Sequence, residues 1–145
     1  RLAEEVGADH AIDVTVDDPV EAVMDLTGGF GASLAVDLAS ATMTPGLCFD
    51  LVHHRGTVVW AGLKDRQAVS VVSDKVVMKG LTVLGGAGGD AASVDEAARI
   101  LNEGGFPTGP LLGTVVGLDE VDRAMAILHR EGDEDTVRAV LQHSH

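Results

Sequence analysis

An α/β fold with a buried, mostly parallel sheet is predicted by three features of this sequence. Helical and strand-like patterns alternate along its length. The strand candidates are near-continuous apolar runs. Aromatic content is only 3%, with one Trp and no Tyr, so Val, Leu, Ala and Ile must fill the core. Strands covered by helices on both faces need such runs, because neither face meets water. Hydrophobic residues at 46% and charged residues at 23% lie near the globular average, which argues for a packed core rather than disorder.

The elements follow in order. RLAEEV (1–6) reads as a helix stopped by GAD, and AIDV (11–14) as a short strand. Asp18 before Pro19 is a cap followed by a favoured first helical residue; Val20, Val23, Met24 and Leu26 supply an apolar stripe, and Gly28-Gly29 end the helix. SLAVDLAS (33–40) is an apolar strand interrupted by Asp37. MTPGLCFDLVHHRG (43–56) fits a helix opened by Thr44-Pro45 and closed by Gly56, and GTVVWAGL (56–63) is a second buried strand. QAVSVV (67–72) is a shorter strand, SDKVVMKG (73–80) a helix capped by Ser73, and LTVLGG (81–86) another strand. After the glycine-rich GGAGGDAAS come a helix over 94–105, irregular FPTGPLLG, strand-like TVVG, an amphipathic helix over 118–132 and a closing strand over 136–142. There is no internal repeat, low-complexity segment or obvious linker.

A net charge of −13 repels phosphate backbones, so nucleic acid and anionic membrane are poor partners, and the charge serves solubility. A single cysteine, Cys48, excludes an internal disulfide and favours a reducing compartment. No apolar run approaches the roughly 20 residues that span a bilayer, and nothing at the start resembles a signal peptide. The expected location is cytoplasmic.

Several motifs have a chemical reading beside a plainer one. GGAGGDA (85–91) contains Gly86-x-Gly88-x-x-Ala91 between a strand and a helix, a match to the dinucleotide fingerprint. That fingerprint also wants a strand ending in an acidic residue about 20 residues later, and TVVG is separated from it by FPTGPLLG. His53 and His54, if helical, point about 100° apart and cannot share an ion, and Cys48 has no partner at metal-ligand spacing. No GxSxG, P-loop or arguable Cys-His pair is present. Asp37, alone in an apolar strand, is either satisfied by backbone or a neighbouring chain, or lies near a ligand at the strand's carboxyl end. Arg138 is either a surface cation or an anion clamp.

The series GADH-I-D, DPVEAVMDLTGGFGA, VDLAS, RGTVVWAGL, DKVVMKGLTVLGG and DEVDRAMAILHR resembles, in order and spacing from Arg1 to Leu141, the carboxyl-terminal portion of medium-chain alcohol dehydrogenases. This is the zinc-dependent dehydrogenase and quinone reductase superfamily. The resemblance implies the second half of a Rossmann domain over residues 1–84, its first two strands absent, and the returning piece of the catalytic domain over 85–145. GGAGGDA then falls at the junction rather than on a pyrophosphate. Matching residues imply Leu38, Ala39 and Ser40 beside the adenosine end of NAD or NADP, although the family often has Gly where Ser40 stands. They imply Ala61, Gly62, Leu63, Thr82 and Leu84 beside the nicotinamide, and Arg138 as a cofactor-phosphate arginine found in some branches.

Zinc in the parent enzyme would have its ligands outside these residues, so no catalytic or metal residue is expected here. The implied reaction is hydride transfer between an alcohol or polyol and nicotinamide, with these 145 residues inactive alone. A zinc-free quinone or enoyl reductase and a noncatalytic dimerisation module are the alternatives. A homodimer or tetramer is implied through strands near 69–72 and 81–85. In the Rossmann order 3-2-1-4-5-6 the absent strands lie between AIDV and VDLAS. The gap is therefore expected to be filled by a partner chain, or AIDV to have moved, or the sheet to be rebuilt.

Overall fold

The computed structural model describes residues 2–104, 106–129, 131 and 138–143. They divide into two compact units, one of residues 12–88 and one of residues 1–11 with 89–145. No helix among the described residues is long and apolar enough to cross a membrane. The chain starts with a single turn, α1 (Leu2–Glu5).

Residues 11–14 form no strand, contrary to the sequence expectation. Asp13 makes a local turn instead: its Oδ1 accepts from Thr15 N at 2.9 Å and Thr15 Oγ1 at 2.6 Å, and its carbonyl accepts from Val16 and Asp17 N. A side chain that satisfies nearby backbone amides competes with a ladder. α2 (Pro19–Leu26) begins as expected, with Asp18 Oδ1 accepting from Val20 N at 2.8 Å and Glu21 N at 3.1 Å. Gly28 and Gly29 follow it at φ 63° and 85°, and the Gly29 amide returns to Met24 O.

β1 (Ala32–Asp37), α3 (Thr44–Leu51), β2 (Val52–Trp60), α4 (Ser73–Lys79) and β3 (Thr82–Gly85) form a parallel three-stranded sheet in the order β1-β2-β3 with its helices. α3 stops five residues before Gly56, the end expected from sequence. Fully buried Val52 turns into extended backbone and pairs with Ala32, and Lys79 Nζ caps α3 by donating to Phe49 O at 2.7 Å and Val52 O at 2.8 Å. His53 and His54 thus lie in β2, at a register shift that includes Arg55 at φ 63°. α4 begins at Ser73, but its capping position is Val72, whose side chain makes no cap hydrogen bond. Gly80, left-handed at φ 61°, ends it. Residues 67–72 are irregular rather than the expected strand, whereas β3 forms within the expected 81–86.

Strand alternation explains the burial. Ala35, Val58 and Val83 are register partners on one face, where Cys48 and Phe49 of α3 and Val76 of α4 close a core with Val52, Leu81 and Trp60. Phe49 and Trp60 meet at 5.7 Å between ring centroids, tilted by 35°. The opposite face carries Leu34, Val36 and Leu84, each about half exposed.

In the other unit, α5 (Ala91–Asn102) starts three residues earlier than expected because Asp90 caps it, accepting from Ser93 N at 2.8 Å. β4 (Thr114–Gly117) pairs in parallel with β5 (Ala139–Gln142), and α6 (Val121–Leu128) crosses between them with Ala124 and Ile127 buried. A 3₁₀ turn over Leu118–Glu120 occupies the expected first turn of α6. Residues 136 and 137 of the expected last strand, and residues 105, 130 and 132 at expected helix ends, lie outside the described residues.

Candidate functional site

Parallel strands put their carboxyl ends at one rim of a sheet, and ligands of open α/β sheets bind there. Asp37, Trp60 and Gly85 stand in register as the last residues of β1, β2 and β3. The segments that leave the strands therefore start side by side, and they contain Leu38, Ala39 and Ser40 after β1 and Ala61, Gly62 and Leu63 after β2. Leu38 is 74% exposed and Leu63 is 83% exposed, which leaves two apolar side chains uncovered at this rim.

Leu84 sits one register step inside the rim and Thr82 three, both on the face of β3 opposite Val83. Thus eight of the nine residues expected at a cofactor fall within the three-stranded unit, six at the rim and two on the uncovered face. Arg138 belongs to the other unit. Its side chain is exposed, and its carbonyl accepts from Thr114 N at 3.1 Å where β5 begins.

The rim is organised by Asp37, whose side chain is only 1% exposed. Its backbone oxygen accepts from both Ala61 N at 2.9 Å and Gly62 N at 2.8 Å. Its Oδ1 accepts from Ala39 N at 3.1 Å and Thr44 Oγ1 at 2.9 Å, and its Oδ2 pairs with Lys64 Nζ at 2.9 Å. Lys64 also donates to Ala39 O and, at 3.3 Å, to Thr44 Oγ1. Burial pushes the Asp37 carboxyl up, but the Lys64, Thr44 and Ala39 donors prevail and hold it below its ordinary value of 3.8. Gly62 is pressed against the Leu38–Ala39 peptide: a Cβ there would lie 2.6 Å from Leu38 C and overlap the Ala39 carbonyl. The two loops are in direct backbone contact.

Sequence reasoning singled out Asp37 and missed Lys64 and Thr44. A buried carboxylate demands a cation or several donors. Lys64 is the basic residue that immediately follows the WAGL strand end, and that was the available signal.

Among the described residues, no three His, Cys, Asp or Glu side chains converge as metal ligands. Cys48 is enclosed in the core, and burial, reinforced by nearby Asp37, pushes its thiol up. At GGAGGDA, Asp90 fills the N-terminus of α5 with its own carboxylate, where a phosphate would meet like charge. A groove of about 490 Å³, lined by residues including Met43, Leu47, Asp50, Val71 and Lys75, contains none of the nine expected residues.

The parallel sheet and its order are those of the second half of a Rossmann-like domain. The chain belongs to the zinc-binding dehydrogenase family, whose family model matches residues 1–103. It is 37% identical over 135 residues to the "Probable alcohol dehydrogenase adh" of Mycobacterium tuberculosis, covering 91% of this chain and 36% of that protein. Sorbitol dehydrogenase of Halalkalibacterium halodurans is 30% identical over 103 residues, 71% of this chain and 30% of its own length. Among solved structures, an alcohol dehydrogenase zinc-binding domain protein from Burkholderia ambifaria superposes with a TM-score of 0.83 at 25% identity. The benzyl alcohol dehydrogenase of Acinetobacter calcoaceticus gives 0.82 at 23%; each superposition covers 99% of this chain and 39% of the other. The chain thus spans 30–39% of the length of these relatives.

Proposed function

We propose that these residues form one wall of a nicotinamide-cofactor site in an NAD(P)-dependent alcohol or polyol dehydrogenase. The observation that carries this reading is the registered rim of β1, β2 and β3 in a chain of the zinc-binding dehydrogenase family. Residues 1–84 contribute the cofactor half-domain and residues 85–145 the returning part of the catalytic domain. Leu38, Ala39 and Ser40 face the adenosine end, and Ala61, Gly62, Leu63, Thr82 and Leu84 face the nicotinamide. The exposed Leu38 and Leu63 side chains suit the flat faces of such rings.

The nicotinamide, when bound, accepts or supplies the hydride. The chain's own residues bind and orient it, with Gly62 permitting the close approach of the two rim loops. Zinc in the parent enzyme takes its ligands from residues elsewhere in that enzyme. The outer edge of β3, which has no strand partner among the described residues, suits pairing with a second copy across a two-fold axis.

The test is an assay of the isolated 145 residues with NAD or NADP, zinc and short-chain alcohols or polyols. Cofactor binding without turnover is expected. Zinc-dependent alcohol oxidation would contradict the assignment of the catalytic groups to other residues.

A further inference from the structure

We infer that Lys64 is a positioning residue: by bridging Asp37, Thr44 and the Ala39 carbonyl, it locks the loops after β1 and β2 into a single rigid cofactor wall. This rests on the cofactor reading above and goes beyond it, since Lys64 touches neither expected half of the cofactor in that reading.

Four observations carry it. The ammonium bridges segments that are far apart in sequence: Asp37 ends β1, Ala39 lies in the β1–α3 connection and Thr44 starts α3, whereas Lys64 lies four residues past the end of β2. The bridge is enclosed, with Lys64 at 11% and Asp37 at 1% side-chain exposure. A flexible ammonium gives up rotamer freedom and hydration to sit there, which a solvent-facing lysine does not do.

The backbone is drawn in as well. Ala61 N and Gly62 N both donate to Asp37 O, and Gly62 lies against the Leu38–Ala39 peptide with no room for a Cβ. Finally, the chain turns directly behind the lysine. Asp65 and Arg66 are both left-handed, at φ 51° and 59°, and Gln67 N returns to Lys64 O at 2.9 Å. Two consecutive non-glycine residues in that region are unfavourable and persist only where their surroundings hold them. The Lys64 anchor provides that hold.

A ligand spanning both loops gains from their fixed separation, because its second half binds at a high effective concentration. A ligand confined to one loop does not. Loss of the bridge therefore separates the affinity for a whole dinucleotide from that for one of its halves.

The experiment uses the 145-residue chain and its K64M variant, with D37N/K64M as a second variant that removes both charges if K64M does not fold. Amide hydrogen exchange reads the lock without any cofactor. Ala61 and Gly62 are expected to exchange about tenfold faster in the variant, while Val58 and Val59, inside β2, keep their protection. Titration with NADH and with nicotinamide mononucleotide reads the positioning. NADH affinity is expected to fall about tenfold and the mononucleotide's by less than about twofold.

Unchanged exchange at Ala61 and Gly62 overturns the lock, whatever the cofactor result. Parallel losses for NADH and the mononucleotide overturn the positioning role in favour of general damage. Absence of NADH binding by the unsubstituted chain overturns the cofactor reading itself, and the exchange data still decide whether the lock exists.

Discussion

Asp37 is the residue on which the candidate site turns. It is a carboxylate with almost no exposure, and five donors from three segments converge on its backbone and side-chain oxygens. Removing its charge in D37N leaves Lys64 enclosed without a counter-ion, and the expected loss is about 2 kcal/mol in urea unfolding near neutral pH. The pH dependence has a definite sign. The folded carboxyl titrates below its ordinary value of 3.8, so at acid pH the unfolded chain binds more protons than the folded one. The Asp37 contribution is therefore complete above the ordinary value and disappears as the pH falls through the folded one. Wild type and D37N should converge in stability at acid pH; a gap that stays constant from neutral to strongly acid conditions would refute the ionised pair. The lone Asp in SLAVDLAS was legible as a residue in need of partners. Lys64 stood out only as the basic residue after WAGL; its pairing with Asp37 was not legible, because 27 residues separate the two and only the folded register of Asp37 with Trp60 brings their loops together.

At the level of elements, local signals were legible where local chemistry decides. Asp18-Pro19 opened α2, Gly80 closed α4, and the apolar runs became β1, β2 and β3. Expectations failed where a distant group decides. Lys79 of α4 donates to the Phe49 and Asp50 carbonyls near the end of α3 and to Val52 O, and Val52 is captured by the sheet, so the helix ends before the histidines. AIDV and QAVSVV have strand composition, but no described strand offers them a ladder, and composition alone supplies no partner. The turn from Lys64 to Gln67 makes an element-level prediction. Arg66 pays a backbone penalty at φ 59° that glycine does not, so R66G is expected to stabilise the chain by about 0.5–1 kcal/mol. Thermal unfolding checks this, and a lowered midpoint would mean that the Arg66 side chain contributes more than its backbone costs.

For the molecule as a whole, the sheet order leaves the outer edges of β1 and β3 without a strand partner among the described residues, and Leu34, Val36 and Leu84 face out together. The gap expected beside VDLAS is not filled by AIDV. Such an edge and face favour association. Sedimentation should show an average mass that rises with concentration, and V36K, which puts a charge on that face, should lower it; a concentration-independent monomer in both would contradict this account. The alternating α/β order was legible because each apolar run announces its strand. The pairing of the rim loops was not, because it depends on contacts between segments. The central claim concerns that rim, and Trp60, the last residue of β2, reports from it. Titration of the unsubstituted chain with NADH and NADPH, followed by Trp60 fluorescence, tests it most directly. A saturable change that is abolished by competing NAD or NADP is the predicted result; a signal that shows no saturation into the millimolar range with either cofactor would contradict a cofactor wall at the ends of β1 and β2.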